Sequence, residues 1–312
     1  MKVLHYTPEK KQIWDDFVNH SKMPMFMFNR DFMEYHRDRF QDASIMFYND
    51  SDDLIAVMPA SRHDTEIRSH GGLTYGGIIC AEKMKQHIML DCFQAMKDFF
   101  ISIGARKIIY KSIPYIYHNY SAQEDLYALF IHNANIQKIE PACVIELAHP
   151  YKMPKGRKAQ ISRARREGIC VRETEDFETF IEIENQVLKK YHNAVAVHTG
   201  QELSYLHNKF PSNIRCFGAY DAVGAMVGGG GVVFVYEHAV HTQYLAANEY
   251  ARENGGLDLV ISELIDLFKD KKYFDFGIST ENMGRFLNQG LIAQKEGFGG
   301  RTVAYQTWEI GL

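Results

Sequence analysis

The chain has 312 residues, 46% of them hydrophobic and 24% charged, and its 35 Lys and Arg against 39 Asp and Glu leave a formal net charge of −4. These figures exclude wholesale disorder, a collagen-like repeat and a coiled coil, and they exclude nucleic-acid binding through a globally basic surface. Any site for a polyanion must be regional. At roughly 150 residues per domain, the length predicts two globular units. Five scattered cysteines (Cys80, Cys92, Cys143, Cys170, Cys216) form no CxxC pair, so neither a disulfide framework nor a metal site is expected. The N-terminal stretch lacks an apolar signal-peptide core, and no run reaches about 18 uncharged apolar residues, which predicts a soluble, cytoplasmic protein without a transmembrane segment.

Apolar residues at helical spacing, Ile13, Trp14, Phe17 and Val18, predict a helix over 9–20, and Phe32, Met33, Tyr35 and Phe40 a second over 29–40. Strands follow at 44–49, 54–61 and 73–79, then a helix at 83–103, a strand at 106–112, a helix at 121–135 and a strand at 142–148. The second half repeats this order. Helices at 176–192 and 200–208 precede strands at 214–220, 225–236 and 239–247; a helix at 256–270, a strand at 273–279, a helix at 284–296 and a strand at 301–310 complete it. The repetition predicts a mixed α/β chain with sheets of the α+β kind, divided as 1–150 and 151–312 and joined near His149–Lys155.

The join is chemically distinctive. Between Lys152 and Arg172 there are eight basic residues and one acidic residue, Glu167, in a chain whose net charge is negative. On a helical wheel Lys155, Lys158, Arg163, Arg165 and Arg166 fall within an arc of about 160°, while Ile161 and Ala164 point the other way. Gly168 suits the left-handed residue that stops a helix. Such a face either grips phosphates through guanidinium donors or is a solvated linker helix.

Here the residues carry a family resemblance. KGRKAQISRARREGICV (155–171) resembles the basic helix of FemAB-like proteins, and YFDFGISTENMGRFLNQGLIAQKEGFGG (273–300) resembles their late DFG and K-x-x-FG stretch. SHGGLTYGGII (69–79) and IPYIYHNYSAQEDLYALF (113–130) are similar to N-terminal segments of bacterial relatives associated with surface-polysaccharide synthesis. The resemblance covers nearly the whole chain, and the order of these segments carries it. It implies two tandem GNAT-like domains, the N-terminal one on the acceptor side and the C-terminal one on the donor side, and an N-acyltransferase acting on a sugar- or peptide-linked cell-envelope precursor. The acceptor would be a small-molecule or a lipid- or nucleotide-linked glycan. The donor would be acetyl-CoA or another acyl-CoA, or alternatively aminoacyl-tRNA.

A GNAT coenzyme loop reads Q/R-x-x-G-x-G/A, with backbone N–H groups at a helix N-terminus cradling the diphosphate. The corresponding residues, Arg252 to Leu257, put Asn254, Gly255 and Gly256 in that role, although the spacing departs from the pattern and Glu253 would repel phosphate. A simple turn before the next helix is the alternative. Amine acylation needs a proton acceptor and donors for the oxyanion. His241 on a central strand and Asp275, between Phe274 and Phe276, are the candidate bases, and Lys295 holds the K-x-x-FG position. Tyr75, Tyr117 and His118 are candidate acceptor contacts, and Lys155, Arg163 and Arg166 candidate phosphate contacts. Asp275-Phe276-Gly277 also matches a kinase tripeptide, but no HRD-type loop precedes it. The run Gly228–Gly231 lacks the following Lys-Ser/Thr of a P-loop and reads as a closely approached or bulged strand. A noncatalytic RNA- or nucleotide-binding protein using the 152–172 helix is the alternative of another class.

Overall fold

The computed structural model describes residues 1–149 and 151–312, which divide into two compact units. The first comprises Met1–Glu140, Asn282–Arg285 and Ala304–Leu312. Its strands are β1 (Lys2–His5), β2 (Gln41–Asp42), β3 (Ile45–Tyr48), β4 (Leu54–Met58), β5 (Ser61–His63), β6 (Glu66–Arg68), β7 (Ile79–Cys80), β8 (Lys107–Lys111) and the first part of β9 (Asn135–Glu146). Its helices are α1 (Lys11–Asn19), α2 (Arg30–Met33), α3 (Gln86–Ser102) and α4 (Glu124–Ile131). One antiparallel sheet runs β1-β3-β4-β7; elsewhere β2, β5 and β6 pair antiparallel and β6 pairs parallel with β8.

Two expectations fail in this unit. The helix expected over 29–40 is only the single turn α2, because the buried Arg30 guanidinium ties the segment to Glu34, Asp42 and the face of Tyr6, 3.7 Å from the ring centroid. The strand expected at 73–79 reduces to β7, since Lys111 Nζ donates to the carbonyls of His70 and Leu73 and holds the chain there in a turn. The hairpin β5–β6 takes its place beside β8.

The second unit comprises Pro141–Glu281 and Phe286–Val303. It contains the rest of β9, then α5 (Lys155–Arg166), β10 (Cys170–Thr174), α6 (Phe177–His192), α7 (Gly200–Lys209), β11 (Ile214–Tyr220), β12 (Met226–Val235) and β13 (Ala239–Ala247). There follow α8 (Glu249–Glu253), α9 (Gly256–Leu267), β14 (Tyr273–Ile278), β15 (Thr280–Glu281), β16 (Phe286–Leu287), α10 (Gln289–Glu296) and the first residues of β17 (Arg301–Gly311), whose remainder belongs to the first unit. Side-chain caps start four of the helices: Asp176 accepts from Thr179 N, Thr199 and Glu202 form a capping box, Asn248 accepts from Ala251 N and Asn288 from Leu291 N. Asn288 also limits α10, so the helix expected from 284 is the short hairpin β15–β16 followed by α10.

The sheet of this unit runs β10-β11-β12-β13-β14-β9, antiparallel except for β13 with β14. The glycine run lies in β12, where a Cβ on Gly230 would stand 3.0 Å from the Phe180 ring of α6 and one on Gly231 3.7 Å from Leu264 of α9. Successive strand residues face opposite sides, so α6 and α9 cover opposite faces of the sheet. Ile161 and Ala164 of α5 join α9, Phe274 and Phe298 in the core, as the wheel predicts. Each fully buried aromatic there contributes roughly 1.5–3 kcal/mol of apolar transfer.

The division differs from the expected 1–150 and 151–312. The later residues of β9 pair with β14 inside the second unit, and the end of β17, Thr307–Gly311, pairs with β8 inside the first. Pro150, at the expected cut, lies outside the described residues. Among the described residues no helix is long and apolar enough to cross a membrane.

Candidate functional site

The parallel strands β13 and β14 pair at three positions only, ending at His241 opposite Asp275, although β13 continues to Ala247. At this fork the two predicted bases meet. His241 Nδ1 lies 2.7 Å from Asp275 Oδ2, Gly277 N donates to Asp275 Oδ1 at 2.7 Å, and the carboxylate is fully buried. A buried carboxylate satisfied by an imidazole and a backbone N–H is what burial of a charge requires.

Beyond the fork lies a cavity of about 1130 Å³, walled entirely by residues of the second unit. Because the strands have parted, its walls come from both layers: Glu184 from α6, Thr242 and Tyr244 from β13, and Arg157 and Asp258 from α5 and α9. Phe276, one residue beyond Asp275, also lines it, but neither Asp275 nor His241 does. The alternation of strand side chains places this pair away from the cavity wall. They fix the fork, beside the cavity and not on its wall.

Lys295, on α10, does line the cavity and is 7% exposed. Its Nζ donates to the carbonyls of Gly277 at 3.1 Å and Ile278 at 2.6 Å, which ties α10 to the end of β14. Burial lowers its pKa from 10.5 to about 8, while Asp275 opposes the shift. An ammonium has three donors, so one remains after these two bonds.

Sequence reasoning missed Glu184. It is 8% exposed and lines the cavity, and burial raises its carboxyl from 4.5 to about 7. No hydrogen bond or ion pair is formed by its carboxyl among the described residues. Nearby on the wall, the Tyr244 hydroxyl bonds His198 Nδ1 at 2.7 Å, and burial raises this phenol to about 12. The available signal was positional: Phe177, Phe180, Ile181, Glu184, Val187 and Leu188 share one helical stripe, and Glu184 is its only charged member.

The expected diphosphate cradle takes another form. Gly255 has φ +75° and caps α9, and a Cβ there would lie 2.2 Å from the carbonyl oxygen of Gln160 in α5. The glycine admits a neighbouring backbone at the start of α9, where the resemblance implied phosphate. Asn254 caps α8 and its Nδ2 donates to Tyr250 O at 3.0 Å, and Gly256 begins α9 as a buried residue packed near Ala251.

On α5, Lys155, Arg163 and Arg166 are exposed and form no ion pair among the described residues. Arg165 meets Glu263 at 2.8 Å. Arg157 turns inward, donating to Asp258 at 2.6 Å and to Gln294 O at 3.3 Å with its guanidinium 4.9 Å from the Phe298 centroid. The same helix thus presents free cations to solvent and lines the cavity with Arg157 and Gln160.

In the first unit, Tyr75 and Tyr117 are each 3% exposed, and both rings pack together and against the Tyr305 side chain. His118 is half-buried, and its Nε2 meets Ile113 O at 3.1 Å. The two tyrosines offered as candidate acceptor contacts are thus packed in the unit's interior.

No family model and no curated protein sequence matches the chain. Solved structures do. The crystal structure of FemX superposes with a TM-score of 0.68 at 10% identity, covering 100% of this chain and 98% of that one. L-PGS from Bacillus licheniformis gives 0.62 at 14% identity over 98% and 91%. A tandem GNAT protein from the clavulanic acid biosynthesis pathway gives 0.55 at 10% identity over 99% and 98%. This chain therefore has the tandem GNAT fold of the FemAB-like proteins.

Proposed function

We propose that this chain is an acyltransferase that moves an acyl group from an activated, phosphate-bearing donor to an amine of a sugar- or peptide-linked envelope precursor. The observation that carries the reading is Lys295, a buried lysine fixed by two carbonyls with one donor left on the wall of a large cavity. When an amine attacks an acyl carbonyl, negative charge grows on the carbonyl oxygen. A cation already held in place, in a site shielded from water, stabilises that charge without reorganising. At neutral pH a lysine with a pKa of about 8 is still mainly charged. The fold shared with FemX and with L-PGS fits a transferase.

Acyl-CoA and aminoacyl-tRNA are the two donors that the family resemblance suggests, and both are polyanions. The exposed cations of α5 lie on a helix that also walls the cavity, so a donor's phosphates can rest outside while its acyl end reaches in. A 12-residue helix is about 18 Å long, which suits an extended RNA backbone. The Gln160 carbonyl packs closely on Gly255 at the cap of α9, which leaves that glycine less open to a coenzyme diphosphate. Both observations favour aminoacyl-tRNA over acyl-CoA.

The test is transfer of label from acetyl-CoA or from aminoacyl-tRNA to amine-bearing, nucleotide-linked envelope precursors, using the full chain and Lys295→Met. Removing one oxyanion-type donor lowers kcat by roughly 10²–10³. Transfer by the wild type and a loss of that order in the variant support the reading. No transfer from either donor, or equal turnover in both proteins, defeats it. Salt-sensitive tRNA binding without transfer puts the noncatalytic RNA-binding reading in its place.

A further inference from the structure

We infer that Glu184 binds the primary amine of the acceptor and takes its proton, an assignment that rests on the acyl-transfer reading of the same cavity. Three features of the fold carry it. The residue as a whole is 8% exposed, it borders the cavity, and among the described residues no hydrogen bond or ion pair holds its carboxyl. Its carboxyl oxygens open onto the cavity, so the one charged group in the apolar stripe of α6 is placed to meet a ligand there. A protonated amine supplies three donors and a charge of the right sign.

The surroundings favour that ligand over an anion. Tyr244, across from α6 on β13, is the titratable group on this wall that feels the charge of Glu184, and its hydroxyl is engaged with His198. Each cation on the cavity wall already has a partner: Lys295 donates to the Gly277 and Ile278 carbonyls, Arg157 is paired with Asp258, and Arg252 stands 4.6 Å from the Tyr191 centroid. Lys190, later on α6, is paired with Glu249. Glu184 is therefore left to meet a cation from outside.

In the reaction, an ammonium docked on the carboxylate first gives a proton to Glu184, which releases it to water in the cavity and returns to the carboxylate, leaving the neutral amine. Its nitrogen lone pair forms a C–N bond to the acyl carbon while the C–S or C–O bond to the donor breaks. The nitrogen sheds one more proton, which Glu184 accepts and passes to the departing sulfur or oxygen. The Lys295 donor faces the oxygen on which charge builds. Burial that raises Glu184 to about 7 suits a group that must give and take protons near neutrality.

The experiment has a binding arm that needs no donor. Ligand-observed NMR on the full chain follows ethanolamine, with ethylene glycol as the uncharged control, for the wild type and Glu184→Gln. Ethanolamine should bind the wild type, bind the variant at least tenfold more weakly, and outcompete ethylene glycol. Equal binding by both proteins, or none by the wild type, overturns the assignment whatever the transfer assay gives. In the transfer assay, with whichever donor works, Glu184→Gln should lower kcat about 10²–10⁴-fold, and the acid limb of the pH profile near 7 should disappear. Glu184→Asp should restore part of the rate. A Glu184→Gln enzyme with normal kcat and an intact acid limb would leave the acyltransferase reading standing and remove Glu184 from it.

Discussion

Glu184→Gln gives a stability measurement that is independent of any substrate. Burial raises the folded-state carboxyl from 4.5 to about 7, so the native protein holds this proton more tightly than the unfolded chain does. The stability associated with that proton is fully present below pH 4.5 and is lost as pH rises through about 7. A displacement of about 2.5 pKa units at 1.36 kcal/mol each amounts to about 3 kcal/mol between about pH 4 and pH 8. Glutamine has nearly the same shape and no charge, so the variant avoids this loss. Urea unfolding of both proteins across that range should show the variant gaining on the wild type by about 3 kcal/mol, most steeply between pH 5 and 7. The other ionisable groups cancel in the difference. Parallel stability curves would mean that the carboxylate is solvated or paired in solution, and would refute both the burial argument and the vacancy on which the amine assignment depends.

Gly255→Ala should destabilise the second unit by more than about 3 kcal/mol, since it combines a left-handed φ with a Cβ only 2.2 Å from the Gln160 carbonyl oxygen. The urea midpoint checks it, and near-wild-type stability would mean that α5 does not pack on the cap of α9 as described. Arg163→Ala with Arg166→Ala should weaken tRNA binding and flatten its salt dependence by about two counterions, because both side chains are exposed and unpaired. The same pair should change stability by less than about 0.5 kcal/mol, as surface substitutions do. An unchanged salt slope in filter binding would take α5 out of donor recognition.

Much of the fold was legible because it rests on local periodicity. The helix 176–192, the strand 239–247 and the two-faced pattern of α5 each follow from which side of an element is apolar, and the structure returns all three. Where long-range contacts override a local pattern, the reading failed. Arg30 halts a helix because Asp42 and Glu34 surround it, and the glycine-rich stretch after Ser69 is held by a lysine some forty residues away in sequence. The cut between units was misplaced for a similar reason, since strand pairing sent the end of the chain back to the first unit.

The sequence by itself determined the residue types and their order: two α/β repeats, a cationic helix at the join, a buried aspartate between phenylalanines and a lysine at a fixed distance after it. Only the tertiary structure decided which of them share a cavity. Periodicity says which face of an element is buried, but it does not say what that face is buried against. The parting of β13 from β14 therefore selected Lys295 and Glu184 for the cavity wall, and turned His241 and Asp275 into the joint that holds the strands together.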